Sequence, residues 1–149
     1  MPAWFLDALS GTGLDSAPIP LWMLGKAEDF DVPAALLLPM PPNYVLARHG
    51  HPCFRFEIVV QGSLDTGDGT IATVGDVFTA RPGELYGPHT AGPDGCTTIE
   101  IFSELDGMFR LLYADADGSL CEADIRRGEY PPDFMAFPDG ADEVIEGLR

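Results

Sequence analysis

The sequence predicts an all-β fold, an antiparallel barrel or jelly roll, because short β-prone runs alternate with turns along the whole chain. Its 17 glycines and 14 prolines are spread over 149 residues, which is typical of short strands joined by tight turns. In Phe54–Gln61 one face is wholly apolar, with Phe54, Phe56, Ile58 and Val60, and the other is mixed, with Arg55, Glu57, Val59 and Gln61. We expect the apolar face to pack against a neighbouring layer and the mixed face to line a cavity or meet solvent.

The first 31 residues form an N-terminal lead-in to the barrel. Pro2 is suited to open a short helix over Trp4–Leu9, which Ser10 and Gly11 end. Pro18 and Pro20 keep the following segment extended or turned.

Residues 32–114 carry the strands of the barrel. The predicted strands are, in chain order, Val32–Leu38, Tyr44–His49, Phe54–Gln61, Thr70–Val74, Val77–Ala80, Thr97–Ser103 and Phe109–Ala114. Residues 115–149 are interpreted as a C-terminal extension of the same domain, with a short helix over Ala141–Leu148.

The charge balance excludes whole classes of partner. The chain has 24 acidic and 8 basic residues, so its formal net charge is −16. Such a surface repels phosphate backbones and anionic membranes, which argues against nucleic-acid and lipid-surface functions. No stretch approaches the roughly 18 apolar residues of a membrane span.

Cys53, Cys96 and Cys121 are widely spaced and form no CxxC pair, so a disulfide framework is not expected. The N-terminus has neither a basic start nor a signal-type cleavage region. These observations predict a soluble protein of the reducing cytoplasm.

The histidines indicate one site. His49 and His51 are two residues apart at the end of a β-prone run, so they face the same side of a strand and can share a metal ion. His89, the third and last histidine, follows a second segment of strand and turn.

The spacing around these residues resembles the two motifs of the cupins, small β-barrels that hold a metal inside the barrel. From Asn43, five residues lead to His49-x-His51, three more to Arg55 and six more to Gly62. In the second motif Gly75 is followed by five residues, then Arg81-Pro82-Gly83, then two residues before Tyr86. The resemblance covers roughly residues 32–114. The stretch from Gly87 to Cys96 also resembles single-domain cupins related to the dioxygenase that cleaves dihydroxyacetophenone.

Two ligand positions of the motifs are changed. Arg55 replaces the glutamate, and a guanidinium cannot ligate a metal. Tyr86 replaces the second-motif histidine. A site of His49, His51 and His89 is chemically reasonable, with either Glu57 or Tyr86 as a further ligand. It would suit a divalent ion, iron first, with manganese, nickel or zinc as alternatives.

Three further side chains are candidate catalytic residues. Glu57 either forms a buried ion pair with Arg55, acts as an acid or base, or binds the metal. Arg55 is also able to hold an anionic substrate, and Tyr86 to donate a hydrogen bond to one. We expect Cys53 to be a small, buried, apolar side chain. Glu100 is expected to be either inward-facing or solvated.

The resemblance implies a metal-dependent enzyme, an oxygenase on a small oxygen-bearing organic molecule. The alternative is a cupin that binds a small molecule without chemistry, its metal site altered by Arg55 and Tyr86. No nucleic-acid or membrane partner is expected. Cupins often dimerise, so a homodimer is expected, with residues 1–31 as a possible contact.

Overall fold

The structure, a computed structural model, describes residues 21–23 and 31–136. Side chains are described for residues 31–134. The helices predicted at Trp4–Leu9 and Ala141–Leu148 lie outside the described residues.

Antiparallel strands form most of the described chain. They are, in order, β1 Leu21–Met23, β2 Ala34–Met40, β3 Val45–Leu46, β4 Arg55–Asp65, β5 Ile71–Thr73, β6 Val77–Ala80, β7 His89–Phe102, β8 Arg110–Ala114, β9 Leu120–Asp124 and β10 Met135–Ala136. A one-turn helix, α1, spans Leu105–Phe109, and a 3₁₀ helix spans Ile125–Arg127.

The strands are organised around β7, the longest of them. β2, β3 and β4 all pair with β7, while β1 extends the sheet beyond β2 and β10 beyond β3. β4 also pairs with β5 and β6, and β8 and β9 form a separate hairpin. This antiparallel arrangement confirms the predicted all-β jelly-roll class.

Strand bounds differ from the prediction where the chain bulges. β7 begins at His89 rather than Thr97, and it pairs with β4 through register shifts on either side of Gln61–Gly62. Gly62 in β4 and Gly95 in β7 have φ values of 73° and 81°. The Gly and Pro residues that suggested turns here therefore bend the strands without ending them.

Two other predicted strands are shorter than expected. Only Val45–Leu46 of the predicted Tyr44–His49 strand is a strand, because His49 instead bridges Tyr86 and Gly50 bridges Leu112. Phe109 belongs to α1, so the strand predicted from Phe109 begins one residue later.

The apolar face of β4 packs differently from the expectation, whereas its mixed face lies in the interior. Phe54 and Phe56, on the apolar face, are 60% and 40% exposed. Arg55 and Glu57, on the mixed face, are 2% and 1% exposed. The prediction that the apolar face packs against another layer was therefore wrong. The mixed face points into the fold, in agreement with the cavity alternative, and its charges are paired there.

Large, fully buried side chains form the hydrophobic core. Tyr44, Leu64, Phe102, Leu105 and Phe109 are all at most 1% exposed. Among the described residues, no helix has the length and apolar character needed to cross a membrane.

Candidate metal centre and active site

His49 and His51 lie together in the interior. Each is 4% exposed, and their ring centroids are 5.4 Å apart. A backbone bridge fixes this segment, since His49 N donates to Tyr86 O and Tyr86 N donates to His49 O. The residue between the histidines must be small, because a Cβ on Gly50 would lie 2.3 Å from Glu84 O.

Backbone carbonyls orient both imidazoles. His49 Nδ1 lies 2.7 Å from Ala47 O, and His51 Nδ1 lies 3.0 Å from Gly107 O. A carbonyl oxygen only accepts, so Nδ1 carries the proton in each neutral ring and Nε2 keeps a lone pair. Tyr86 Oη, 3.2 Å from His49 Nε2, donates to that lone pair.

A buried ionic cluster of Arg55, Glu57 and Glu100 adjoins the histidines. Sheet register brings Glu57 opposite Glu100 on β7, and both carboxylates face the guanidinium. Arg55 Nε donates to Glu100 Oε2 at 2.8 Å, and Arg55 also pairs with Glu57. The Arg55 Cζ lies 4.2 Å from the centroid of the Tyr86 ring, in a cation–π contact.

This cluster carries an unequal charge. Two carboxylates and one guanidinium sum to −1 when all three are ionised, at side chains that are at most 7% exposed. An uncompensated charge is costly in such surroundings, so the cluster favours a cation nearby. The ion pair predicted between Arg55 and Glu57 is present, and Arg55 Nε is engaged by Glu100. The role of Arg55 in holding an anionic substrate stays a prediction.

His89 lies in the same interior, against the ring of Tyr86. It opens β7 opposite Leu46 and is 3% exposed. Its ring stacks on Tyr86, with centroids 5.3 Å apart. His89 Nδ1 has no hydrogen-bond partner in the described part of the chain and lies 3.9 Å from Glu57 Oε2.

The fold is similar to that of known structures of low sequence identity. It is similar to an acetylacetone dioxygenase from Acinetobacter johnsonii, with a TM-score of 0.52 and 14% identity over 75% of this chain and 78% of that chain. An RmlC-like cupin from Ralstonia eutropha JMP134 gives a TM-score of 0.51 and 20% identity over 75% of this chain and 73% of that chain. The chain has the cupin fold. Neither a protein-family model nor a curated protein sequence matches it.

Burial sets the protonation of the three histidines. Desolvation lowers the pKa of His49 and of His89 to about 3 each, and it lowers the pKa of His51 well below the usual value. Burial also raises the pKa of Tyr86. At neutral pH the pocket therefore holds three neutral imidazoles and a neutral phenol beside the ionic cluster.

Because these histidines are neutral in the folded state, we expect the protein to become less stable as the pH is lowered. Unfolded histidine takes up a proton near pH 6.5, whereas folded His49 and His89 do so only near pH 3 and folded His51 only well below pH 6.5. The folded state is thus fully favoured above about pH 6.5 and loses up to about 1.4 kcal/mol per histidine for each pH unit below it. Denaturant unfolding between about pH 7.5 and about pH 5, with a chelator present, measures this slope.

The chain offers a direct control for this slope. All three of its histidines lie in the pocket, so no other histidine contributes in that range. We expect His89→Leu, which sacrifices no described hydrogen bond at Nδ1, to reduce the slope by about one third. An unchanged slope would show that His89 is not held neutral by the fold.

The donor set fits a metal ion in part. His49 and His51 present Nε2 lone pairs from rings anchored at Nδ1, which is the usual arrangement of a histidine metal ligand. Within the described residues, however, no group of three His, Cys, Asp or Glu side chains is arranged to hold a metal. The assignment of His89 as third ligand remains a prediction.

Two residues of the site, Glu100 and Phe78, were not assigned to it from the sequence. Glu100 was left open between inward and solvated and is 5% exposed, in the ionic cluster. Phe78 lies opposite Glu57 on β6 and stands edge-on to His89, with ring centroids 5.7 Å apart. Cys53 is buried as expected, and burial raises the pKa of its thiol to about 11, which disfavours the thiolate.

Proposed function

We propose that this cupin is a metal-dependent enzyme, an oxygenase acting on a small oxygen-bearing organic molecule. The observation that carries the proposal is the pair of buried imidazoles, His49 and His51, each anchored at Nδ1 so that Nε2 keeps its lone pair, beside an ionic cluster of net negative charge. A divalent ion held there would act as a Lewis acid on a substrate oxygen and, if it is iron, support chemistry with O₂.

The chain's own residues supply the remaining functions. Glu57 is suited to accept a proton from a substrate carbon beside a carbonyl, because it is buried next to the pocket and stabilised as an anion by Arg55. Tyr86 Oη is suited to donate a hydrogen bond to the oxygen on which charge develops. Arg55, held by Glu57 and Glu100, keeps a positive charge near that oxygen without moving.

A second candidate is a cupin that binds a small molecule without chemistry. In its favour, Tyr86 already occupies the lone pair of His49, and Arg55 places a permanent cation where the motif has a ligand. The two candidates differ in whether the pocket binds metal.

Metal content tests the proposal. We expect purified protein, or protein loaded in turn with Fe(II), Mn(II), Ni(II) and Zn(II), to hold close to one ion per chain by mass spectrometry of the metals. His49→Ala and His51→Ala should each weaken metal affinity by at least about tenfold, since each removes a ligand. Cys121→Ala, which removes a partly exposed potential ligand outside the pocket, is the matched control and should leave metal content unchanged.

Two further variants assign the third ligand. Loss of metal in His89→Ala supports His89, while loss in Tyr86→Phe with retention in His89→Ala supports Tyr86. O₂ uptake with small β-diketones and hydroxyketones, chosen because an acetylacetone dioxygenase shares the fold, then tests the reaction. Failure to bind any of the four metals would overturn the enzyme proposal in favour of the binding cupin.

The partner and location of the protein remain predictions. We propose a homodimer, which sedimentation or light scattering of the purified protein tests. A small-molecule substrate is proposed on the same grounds as the oxygenase.

A further inference from the structure

A cavity of about 590 Å³ leads to the candidate centre. It lies between the turn that joins β4 to β5 and the connection from β6 to β7, and Tyr86 and His89 belong both to its wall and to the pocket described above. Its volume falls within the range of small-molecule sites. The cavity is therefore the natural place for the substrate of the proposed enzyme.

The inner wall of the cavity is aromatic. Phe78, Tyr86 and His89 line it, with Tyr86 stacked on His89 at 28° and Phe78 perpendicular to His89 at 89°. His89 is 97% buried (3% exposed), and its Nδ1 has no partner among the described residues. Such a wall suits a planar group, while the buried Nδ1 itself is closed to the cavity and lies 3.9 Å from Glu57 Oε2.

The outer rim is acidic. Asp68, Asp76 and Glu84 line the cavity together with one cation, Arg48, so the ionised rim has a net charge of −2. Local hydrogen bonds hold the carboxylates in place. Asp68 accepts from Thr66 and Thr70, Asp76 accepts from the Thr73 backbone N–H, and Glu84 accepts from the Arg81 backbone N–H.

The turn around Asp68 stabilises its carboxylate. The hydrogen bond from Thr66 holds the pKa of Asp68 below its usual range. The carboxylates already accept hydrogen bonds within their turns, so an isosteric amide can keep one acceptor oxygen while losing the charge.

We propose that this cavity selects a planar organic molecule that carries a positively charged group, such as an amine, at its outer end, and that it rejects carboxylates. The planar part lies against the aromatic wall, and the cation lies among the rim carboxylates. This inference deepens the proposed function by naming its substrate class, and its test does not depend on the metal.

The experiment compares three probes of matched shape on metal-free protein. Benzylamine is cationic, benzyl alcohol neutral and benzoate anionic, and calorimetry or ligand-observed NMR gives the three affinities. We expect benzylamine to bind at least about tenfold more tightly than benzoate at low salt, with the ratio shrinking as salt screens the rim.

Charge-removing variants locate the effect. Asp68→Asn and Glu84→Gln should each weaken benzylamine binding several-fold and leave benzyl alcohol unchanged. Asp94→Asn, which removes the same charge from an exposed residue that does not line the cavity, is the matched control. Phe78→Ala should weaken all three probes.

The outcomes separate this inference from the proposed function. Benzoate binding as tightly as benzylamine, no binding of benzylamine, or equal effects of Asp94→Asn and the rim variants would overturn the substrate class. Selective benzylamine binding by a chain that takes up no metal would overturn the enzyme but support the cavity as a cation-selective site.

Discussion

Replacing Arg55 with methionine is expected to lower the free energy of unfolding by about 3–5 kcal/mol. Methionine fills similar space but leaves Glu57 and Glu100 facing each other across the β4–β7 pairing, both nearly excluded from solvent. Breaking a buried ion cluster by removing one partner is more harmful than replacing all of it, because the remaining charges lose their compensation. Denaturant unfolding at neutral pH measures the change.

Two controls separate charge from packing in this experiment. Arg48→Met removes an exposed guanidinium and should cost less than about 0.5 kcal/mol. The triple variant Arg55→Met, Glu57→Gln, Glu100→Gln removes every charge of the cluster and should recover much of the lost stability. A loss below about 1 kcal/mol in Arg55→Met alone would contradict the idea that the cluster is tightly coupled.

Gly62→Ala is expected to cost about 3 kcal/mol or more of unfolding free energy, from two additive causes. Gly62 has a φ of 73°, a region in which a side chain is strained by about 1–2 kcal/mol. A Cβ there would also lie 2.1 Å from Gly95 O, a backbone atom that cannot swing away. The β4–β7 bulge must therefore shift to accommodate the methyl group.

Gly75→Ala provides the matched control. Gly75 also has a positive φ, 94°, but a Cβ at that position meets nothing within 4 Å. Its substitution should cost only the conformational part, about 1–2 kcal/mol. Equal losses for the two variants in denaturant unfolding would mean that the contact with Gly95 carries no weight.

Local sequence signals predicted much of the fold. The residues of β6, Val77–Ala80, were predicted with the bounds that the structure has, because Gly75-Asp76 and Arg81-Pro82 mark its ends. Helix α1 was missed because it is one turn long and Glu104, its N-cap, makes no side-chain capping bond. β9 was not predicted because its segment is short and polar and shows no clear strand pattern.

The candidate site was predictable as far as its residues are neighbours in sequence. His49 and His51 meet because alternate residues face one side, and Glu57 joins Arg55 by the same rule. Glu100 belongs to the site only through the register of β4 against β7, which a single sequence does not reveal. The carbonyl of Gly107 that orients His51 comes from α1, so the anchoring of that ring could not be foreseen.

The ionic cluster also constrains how this sequence can change over time. Replacement of Arg55 alone leaves two buried carboxylates without a counterpart, so this one-step change is penalised more than a change at Glu57 or Glu100, which leaves a balanced pair. We therefore expect these three positions to covary among related chains, passing together from a charged set to an apolar or metal-ligating one. Once Arg55 is present, its loss is disfavoured for as long as Glu57 and Glu100 remain, independently of any change in the neighbouring histidines.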